Sequence, residues 1–521
     1  MEKIFNSNLW IKNSITWFAC FSMLMIIVSC KNNATDTDSY GNNTTYMDVF
    51  LGESTGVKLE AMGAELDPHF FSQNLTRNDG SRESDWQYVR DRVKAMELQK
   101  FRVMVLPQWY EPVNDNDDPH HTDLSRFTFD SQEMQSLYKV LDLAQEQEMD
   151  ICIVVWGCPV NVSLLDQKYA HVKKCFMADP DKEDVWITGP VNYDEWAENF
   201  STLIKYLIED RQYTCIKEIT PMNEPDGGPL LTSTEYIKMA KVLDDRFKKD
   251  GIRNKVRFNL SDNTDTRTFY LIDCAENLSG VADVFNSHTY IFGYDTPNDT
   301  IYKWEKNNVN IAAGAGKKHL VGEFGSNQCV GATRQKDIDL YARGVLMTRL
   351  VLNFLNAGAA GVSYWSLIDQ YYGKDADYQQ MQQLGLWKYV KEAYKTDSTY
   401  NRIEKDYEVR PQYYAYSLLT RFLKPEAEIY PIELNEDFAI GSAFKGKDGK
   451  WTYVFANGTD GARKIAIVNS VVDGEFDLYK YEEQTLPADD GMITSDESIS
   501  VKSGKLSVEL YPNSVVLCRQ K

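Results

Sequence analysis

"IKEITPMNEPDGG", Ile216 to Gly228, decides how the chain is read. An apolar run from Ile216 to Met222 stops at Asn223-Glu224-Pro225 and gives way to an acidic, glycine-containing loop. A run this short, closed by turn residues, reads as a buried strand. It ends on an amide and a carboxylate. The proline that follows keeps the residue before it out of the right-handed helical region. Two explanations fit: an ordinary strand end on a surface loop, or an acid held at the mouth of a barrel.

The same rhythm recurs along the chain. Apolar runs occur at 57–66, 101–106, 151–156, 216–222, 256–261, 283–290, 319–324 and 360–367, with stretches of helical period between them. In "SDWQYVRDRVKAMELQ", Trp86, Val89, Val93 and Met96 fall on one helical face. Ser233 is placed to cap the helix "STEYIKMAKVLDDRFKK". Eight strands, each followed by a helix, make a (β/α)8 TIM barrel, class α/β. An open doubly wound sheet shares the alternation, but polar residues gathered at the strands' C-terminal ends favour the barrel. The eighth helix is "PQYYAYSLLTRFLKP", 411–425. Beyond it the period changes: "WTYVFANG", "RKIAIVNS" and "FDLYKYEE" are short strands between turns, the texture of a small β-sandwich. The domains expected are therefore a catalytic barrel over 47–425 and a sandwich over 426–521, with "YMDVFLG" (46–52) available as a further sandwich strand.

The first residues have a different character. Lys3 and Lys12 precede the apolar segment "ITWFACFSMLMIIV", and "IVSC" ends at Cys30. This is a secretory signal, too short and poorly flanked to be a stable membrane span. "IVSC" resembles the bacterial lipobox, which implies a signal over 1–29, lipidation of Cys30 and a membrane-anchored lipoprotein. Residues 30–46 read as a flexible tether. Lys31 does not resemble the Asp that retains lipoproteins at the inner membrane, so the outer membrane of a Gram-negative bacterium is the expected location. A net charge of −21 repels phosphates and argues against a nucleic acid partner. The chain's 31 Tyr and 11 Trp exceed the needs of a core and suit a carbohydrate groove. The nine cysteines form no disulfide framework; Cys158–Cys175 is one pairing they allow.

On a barrel the active face is formed by the C-terminal ends of the strands. The fourth strand ends at Asn223-Glu224 and the seventh at Glu323. Two carboxylates across a glycosidic bond are the minimal apparatus for its hydrolysis. The sixth strand ends in "NSHTY", with His288 and Tyr290 on one face. Tyr290 can steady the Glu323 carboxylate, and His288 can bond a neighbouring carboxylate or sugar. Trp365, in "SYWSL" on the eighth strand, offers an apolar floor for a sugar ring. Arg102 on the second strand can reach a central carboxylate, and a purely stabilising ion pair is the other reading. Trp156 ends the third strand, Trp109 lies in the loop after the second, and Asp262 and Asn263 end the fifth, where they can meet sugar hydroxyls. "NDNDDPHHTD" (114–123) lacks the Gly and Glu spacing of a calcium loop and reads as a solvated loop. There is no Walker loop, no GxGxxG and no GxSxG elbow. No cofactor or metal is expected.

The pattern resembles the clan A retaining (β/α)8 glycoside hydrolases over residues 48–425. Asn-Glu on the fourth strand matches Asn223 and Glu224, Glu on the seventh matches Glu323, His288 and Tyr290 fit the sixth, and Trp365 the eighth. The run into the sandwich is most similar to glycoside hydrolase family 30, with families 39 and 5 close. The resemblance implies that Glu224 is the acid/base and Glu323 the nucleophile. Asn223 then meets the sugar 2-hydroxyl, and the two carboxyl groups stand about 5–5.5 Å apart. The expected function is cleavage of β-glycosidic bonds in a polysaccharide or its oligosaccharides, through a covalent glycosyl-enzyme. The alternative is a glycan-binding surface lipoprotein that has lost catalysis, which would have no use for both carboxylates.

Overall fold

The computed structural model describes residues 44–68, 82–161, 174–264, 268–291, 293–326, 328–329, 334–335, 337–371, 381–388, 407–434, 436–460, 463–469, 471–488, 490–495 and 497–521. The expected signal, Cys30 and residues 30–43 of the tether lie outside the described residues.

Eight parallel strands close into a barrel in chain order. They are β1 (Ala61–Glu65), β2 (Lys100–Val105), β3 (Asp150–Val155), β4 (Ile216–Thr220), β5 (Arg257–Asn263), β6 (Val284–Ile291), β7 (His319–Ser326) and β8 (Gly361–Tyr364). All eight fall on the apolar runs of the sequence. One helix follows each strand: α1 (Arg82–Met96), α2 (Gln132–Glu146), α3 (Tyr193–Lys205), α4 (Ser233–Lys249), α5 (Thr268–Leu278), α6 (Asn298–Gly314), α7 (Ala342–Ala357) and α8 (Pro411–Phe422). The helices bury their apolar stripes against the outside of the barrel, and Trp86, Val89, Val93 and Met96 of α1 are all buried there. The cap of α4 is Thr232, not Ser233. Thr232 Oγ1 accepts from Glu235 N, and the Glu235 carboxylate accepts from Thr232 N; this reciprocal bonding outweighs a single hydroxyl one residue later. Ser233 donates instead to Asp273 on α5 at 2.5 Å.

Two irregularities shape the C-terminal end of the barrel. Between β6 and β7 the register slips at Gly322: Val321 pairs with Ser287, yet Glu323 pairs with His288. Between β5 and β6 it slips at Asp262, with Ser261 opposite Asn286 and Asn263 opposite Ser287. Each slip inserts one unpaired residue and re-aims the side chains around it. Gly322 is required by space, since a Cβ there would come within 2.3 Å of Asn286 Oδ1.

The sandwich packs a three-stranded sheet (Thr44–Phe50, Arg463–Asn469, Lys505–Leu510) against a six-stranded one that spans Glu428 to Gln520. Met47, Val49, Tyr453, Phe455 and Phe476 fill its core. Thr44–Phe50 pairs in parallel with Arg463–Asn469. Residues on which the sequence places the end of the tether and the start of the barrel thus pair with the sandwich, as "YMDVFLG" allowed. Residues 44–521 form one compact unit. Tyr341, just before α7, stacks on Tyr481 of the sandwich at 4.5 Å, and each hydroxyl donates to the other's carbonyl. Cys158 and Cys175 lie side by side as free thiols.

Candidate active site

Arg102 organises the C-terminal mouth. Its guanidinium is almost fully buried and donates four ways: Nη1 to Glu323 Oε1 at 2.5 Å and Glu65 Oε2 at 3.0 Å, Nη2 to Asp262 Oδ2 at 2.7 Å and Asn223 Oδ1 at 2.8 Å. One planar fork thus fixes groups from β1, β5, β7 and the segment after β4. The amide nitrogen of Asn223 is turned away from the arginine.

Glu323 is held from a second side. Tyr290 donates its hydroxyl to Glu323 Oε2 at 2.7 Å. His288 Nδ1 lies 2.9 Å from Glu224 Oε1 and 3.4 Å from Glu323 Oε2, while Nε2 lies 3.3 Å from Asp262 Oδ1. His288 therefore bridges the two carboxylates that the sequence singled out. Oxygens of Glu224 and Glu323 stand within 4.8 Å of each other. The slips at Gly322 and Asp262 bring Glu323 and Asp262 to this centre.

Glu224 follows β4 with φ +38°, in the left-handed region. Pro225 excludes the right-handed helical form, as expected, but the backbone does not become extended. Such a conformation is costly for a non-glycine residue and is found where the surroundings over-determine it. Here the Asn223 amide bonds Val155 O on β3, and Gly227 N closes a turn on Glu224 O. The Glu224 side chain is 30% exposed, whereas that of Glu323 is 6% exposed.

Burial and charge oppose each other at this centre. Burial pushes the Glu323 carboxyl above the usual carboxylate range, and His288 and Arg102 only partly oppose it. Burial acts the same way on Asp262, but Arg102 and His288 prevail and hold it below that range. For His288 burial works against the charge, yet Glu323 and Asp262 outweigh it and raise the imidazole to about 10. His288 is thus a cation at neutral pH, with both ring nitrogens donating. Burial first, then the Glu323 charge, keeps the Tyr290 phenol protonated. A metal held by Glu224, His288 and Glu323 would need a deprotonated imidazole nitrogen, which this electrostatic setting disfavours.

Of the other expected residues, Trp365 joins an apolar cluster with Met104, Val154 and Leu384, against which Trp156 and Tyr290 pack. Trp156 also meets Trp186 edge-on at 5.1 Å. Two are not brought to the centre. Trp109 is buried in the main hydrophobic core, at the end of the short helix Pro107–Trp109, all of whose residues are buried. Asn263 accepts from Ser261 Oγ at 2.7 Å and donates to Thr264 O at 2.9 Å; the slip at Asp262 gives its neighbour the central position. Glu65, at the end of β1, escapes the sequence reading. Burial holds its carboxyl well above the usual range despite Arg102. Its place at the C-terminal end of a barrel strand was the available signal.

No protein-family model and no curated protein matches the sequence. Solved structures resemble the fold. The catalytic domain of a GH30 xylanase C from Talaromyces cellulolyticus aligns with TM-score 0.61 at 14% identity, over 91% of this chain and all of that one (100%). A GH39 β-xylosidase from Caulobacter crescentus aligns with TM-score 0.57 at 11% identity, over 92% and 100%. An endo-β1,6-glucanase aligns with TM-score 0.58 at 15% identity, over 93% and 95%. The chain has the (β/α)8 fold of the clan A glycoside hydrolases, with a β-sandwich appended.

Proposed function

We propose that the protein is a retaining glycoside hydrolase acting on β-linked polysaccharides or their oligosaccharides. The observation that carries this reading is the approach of Glu224 and Glu323 oxygens to within 4.8 Å. Retaining pairs stand about 5–5.5 Å apart, and inverting pairs about 6.5–9.5 Å, leaving room for a water.

In this mechanism Glu323 attacks the anomeric carbon as Glu224 gives its proton to the departing glycosidic oxygen. The C–O bond to the leaving sugar breaks and a glycosyl ester to Glu323 forms. Glu224, now a carboxylate, takes a proton from water, whose oxygen displaces Glu323 at the same carbon. Two inversions give net retention. Arg102 and Tyr290 orient the nucleophile through its two oxygens. The His288 cation lies between the two carboxylates and can respond as charge shifts from one to the other. Trp365 and Trp156 supply an apolar floor.

The test is hydrolysis of a panel of β-glucans, xylans, mannans and galactans. Xylans and β1,6-glucans come first, because the structural neighbours act on such polymers. Proton NMR of the first product formed reads the anomer. Release of the β-anomer, absent in Glu323→Gln, is expected; release of the α-anomer would overturn retention.

The Cys30 anchor and outer-membrane location belong to the same proposal, supported by the lipobox resemblance. Among the described residues no helix is long and apolar enough to cross a membrane. Labelled palmitate should enter the wild type and not Cys30→Ser, which should leave the membrane fraction.

A further inference from the structure

We propose that the loop between β2 and α2, with the start of α3, binds one divalent cation of the calcium type through Glu111, Asp115 and Glu195, with Glu198 beside them.

One carboxylate oxygen from each of Glu111, Asp115 and Glu195 lies within 4.8 Å of the others, and all three residues are buried. Oxygens bound to calcium at 2.3–2.6 Å stand at most about 5 Å apart across the ion, so a single cation can touch all three. Glu198 is one turn after Glu195 on α3 and almost completely buried. Adjacent acids are common without an ion, and the second observation is the state of their oxygens. Glu195 Oε1 and Asp115 Oδ1 are buried and accept no hydrogen bond among the described residues, whereas the Glu198 carboxylate is met by Thr122 and by Arg246. Asn114 Oδ1, one residue before Asp115, is buried and unbonded in the same way as Asp115 Oδ1. Glu195, only 4% exposed, is an unpartnered acceptor aimed into the cluster. Buried polar atoms without partners are rare in native proteins, and an ion is one of their ordinary explanations.

Positive charge does not supply that partner. Among the described residues no Lys, Arg or His forms an ion pair with Glu111, Asp115 or Glu195. Arg246 reaches Glu198 Oε1 only at 3.6 Å. Its short bonds go to Asp250, Pro119 O and Thr122.

The cluster is also braced. Asn199 Nδ2 donates to Glu111 Oε2 at 2.9 Å, and Tyr110 donates to Asn199 Oδ1 at 2.6 Å. Asp115 N donates to Glu111 Oε1 at 3.1 Å and Asp123 N to Asp115 Oδ2 at 2.5 Å. Such outer donors orient ligands. An all-oxygen set drawn from a loop and a helix suits calcium better than the rigid octahedron of magnesium. The segment 114–123, read from sequence as solvated, buries Asp115, because its partners come from α3 rather than from the loop alone.

The test is calorimetric titration of calcium chloride into the EDTA-treated full-length protein, with thermal unfolding in parallel. One calcium per chain is expected, with a Tm raised by several degrees at saturation. Asp115→Asn and Glu195→Gln should each weaken binding by about 10-fold or more. Glu323→Gln, at the catalytic centre, should bind calcium as the wild type does. Absence of heat and of any Tm shift in the wild type up to about 10 mM calcium, beyond the weakest extracellular sites, would overturn the proposal. So would calcium binding that survives in a folded Asp115→Asn or Glu195→Gln variant. If one variant fails to fold, the other and the wild-type titration still decide.

Discussion

The two mouths of the barrel are built from the same materials to opposite ends. At the N-terminal mouth, around a cavity of about 300 Å³, Lys100 pairs with Glu218 at 2.5 Å, Arg257 with Glu60 at 2.9 Å and Lys318 with Glu60 at 2.8 Å. Burial alone would raise the Glu60 carboxyl, but Arg257 and Lys318 hold it below its usual range. At the C-terminal mouth only Arg102 and His288 pair with Glu65, Asp262, Glu224 and Glu323 among the described residues. There burial wins at Glu65 and Glu323, as it does below at Asp150. Matched charge fixes strands; an excess of acid leaves protons in play, which is what a reaction centre needs.

The most direct challenge to this contrast is to neutralise one carboxylate above and one cation below. Glu323→Gln should lower kcat by about 10⁴-fold or more in steady-state assays, with the fold retained. Lys100→Met should do the reverse: kcat/KM little changed, but stability lower by about 3–5 kcal/mol in denaturant titrations, because Glu218 is left buried without its closest cation. Equal loss of activity from both would erase the distinction.

Within the upper mouth, Glu224→Gln should cost about 10²–10⁴-fold. The loss should be smaller on aryl glycosides, whose leaving groups need little protonation. If the proposed retaining mechanism holds, added azide should then restore turnover as glycosyl azide, since a small anion attacks a glycosyl ester without a base. Tyr290→Phe removes one hydrogen bond to a charged group, about 1.5–3 kcal/mol, so kcat should fall about 10- to 100-fold without loss of helical circular dichroism.

A further effect is in the pH dependence of stability. His288 is raised from its ordinary 6.5 to about 10 in the fold. The charged imidazole therefore stabilises the protein fully below about pH 6.5, and that contribution is lost as pH rises toward 10. Chemical denaturation from pH 6 to 10 should show this decline, and His288→Gln should flatten it.

The barrel was legible because each of its eight strands is a short apolar run, and the meeting of Glu224 and Glu323 at one mouth was legible because both lie where such runs end. What resisted reading was facing. Strict alternation fails where Gly322 and Asp262 add a residue to their strands, so Asp262, not Asn263, takes the centre. Trp109 looked like a groove aromatic because a buried ring and an exposed one have the same sequence signature. Asp115 looked solvated because the acids that surround it on α3 lie some 80 positions later in the chain.

The sandwich imposes a schedule on folding. Asp48 and Asn469, which bond across the strands Thr44–Phe50 and Arg463–Asn469, are 421 residues apart. A chain delivered N-terminus first exposes Met47 and Val49 before their partner strand arrives. The barrel can close in that interval while the opening strand waits, its apolar edge open to any other β-strand within reach. The last hundred residues thus also retire a hazard created by the first fifty.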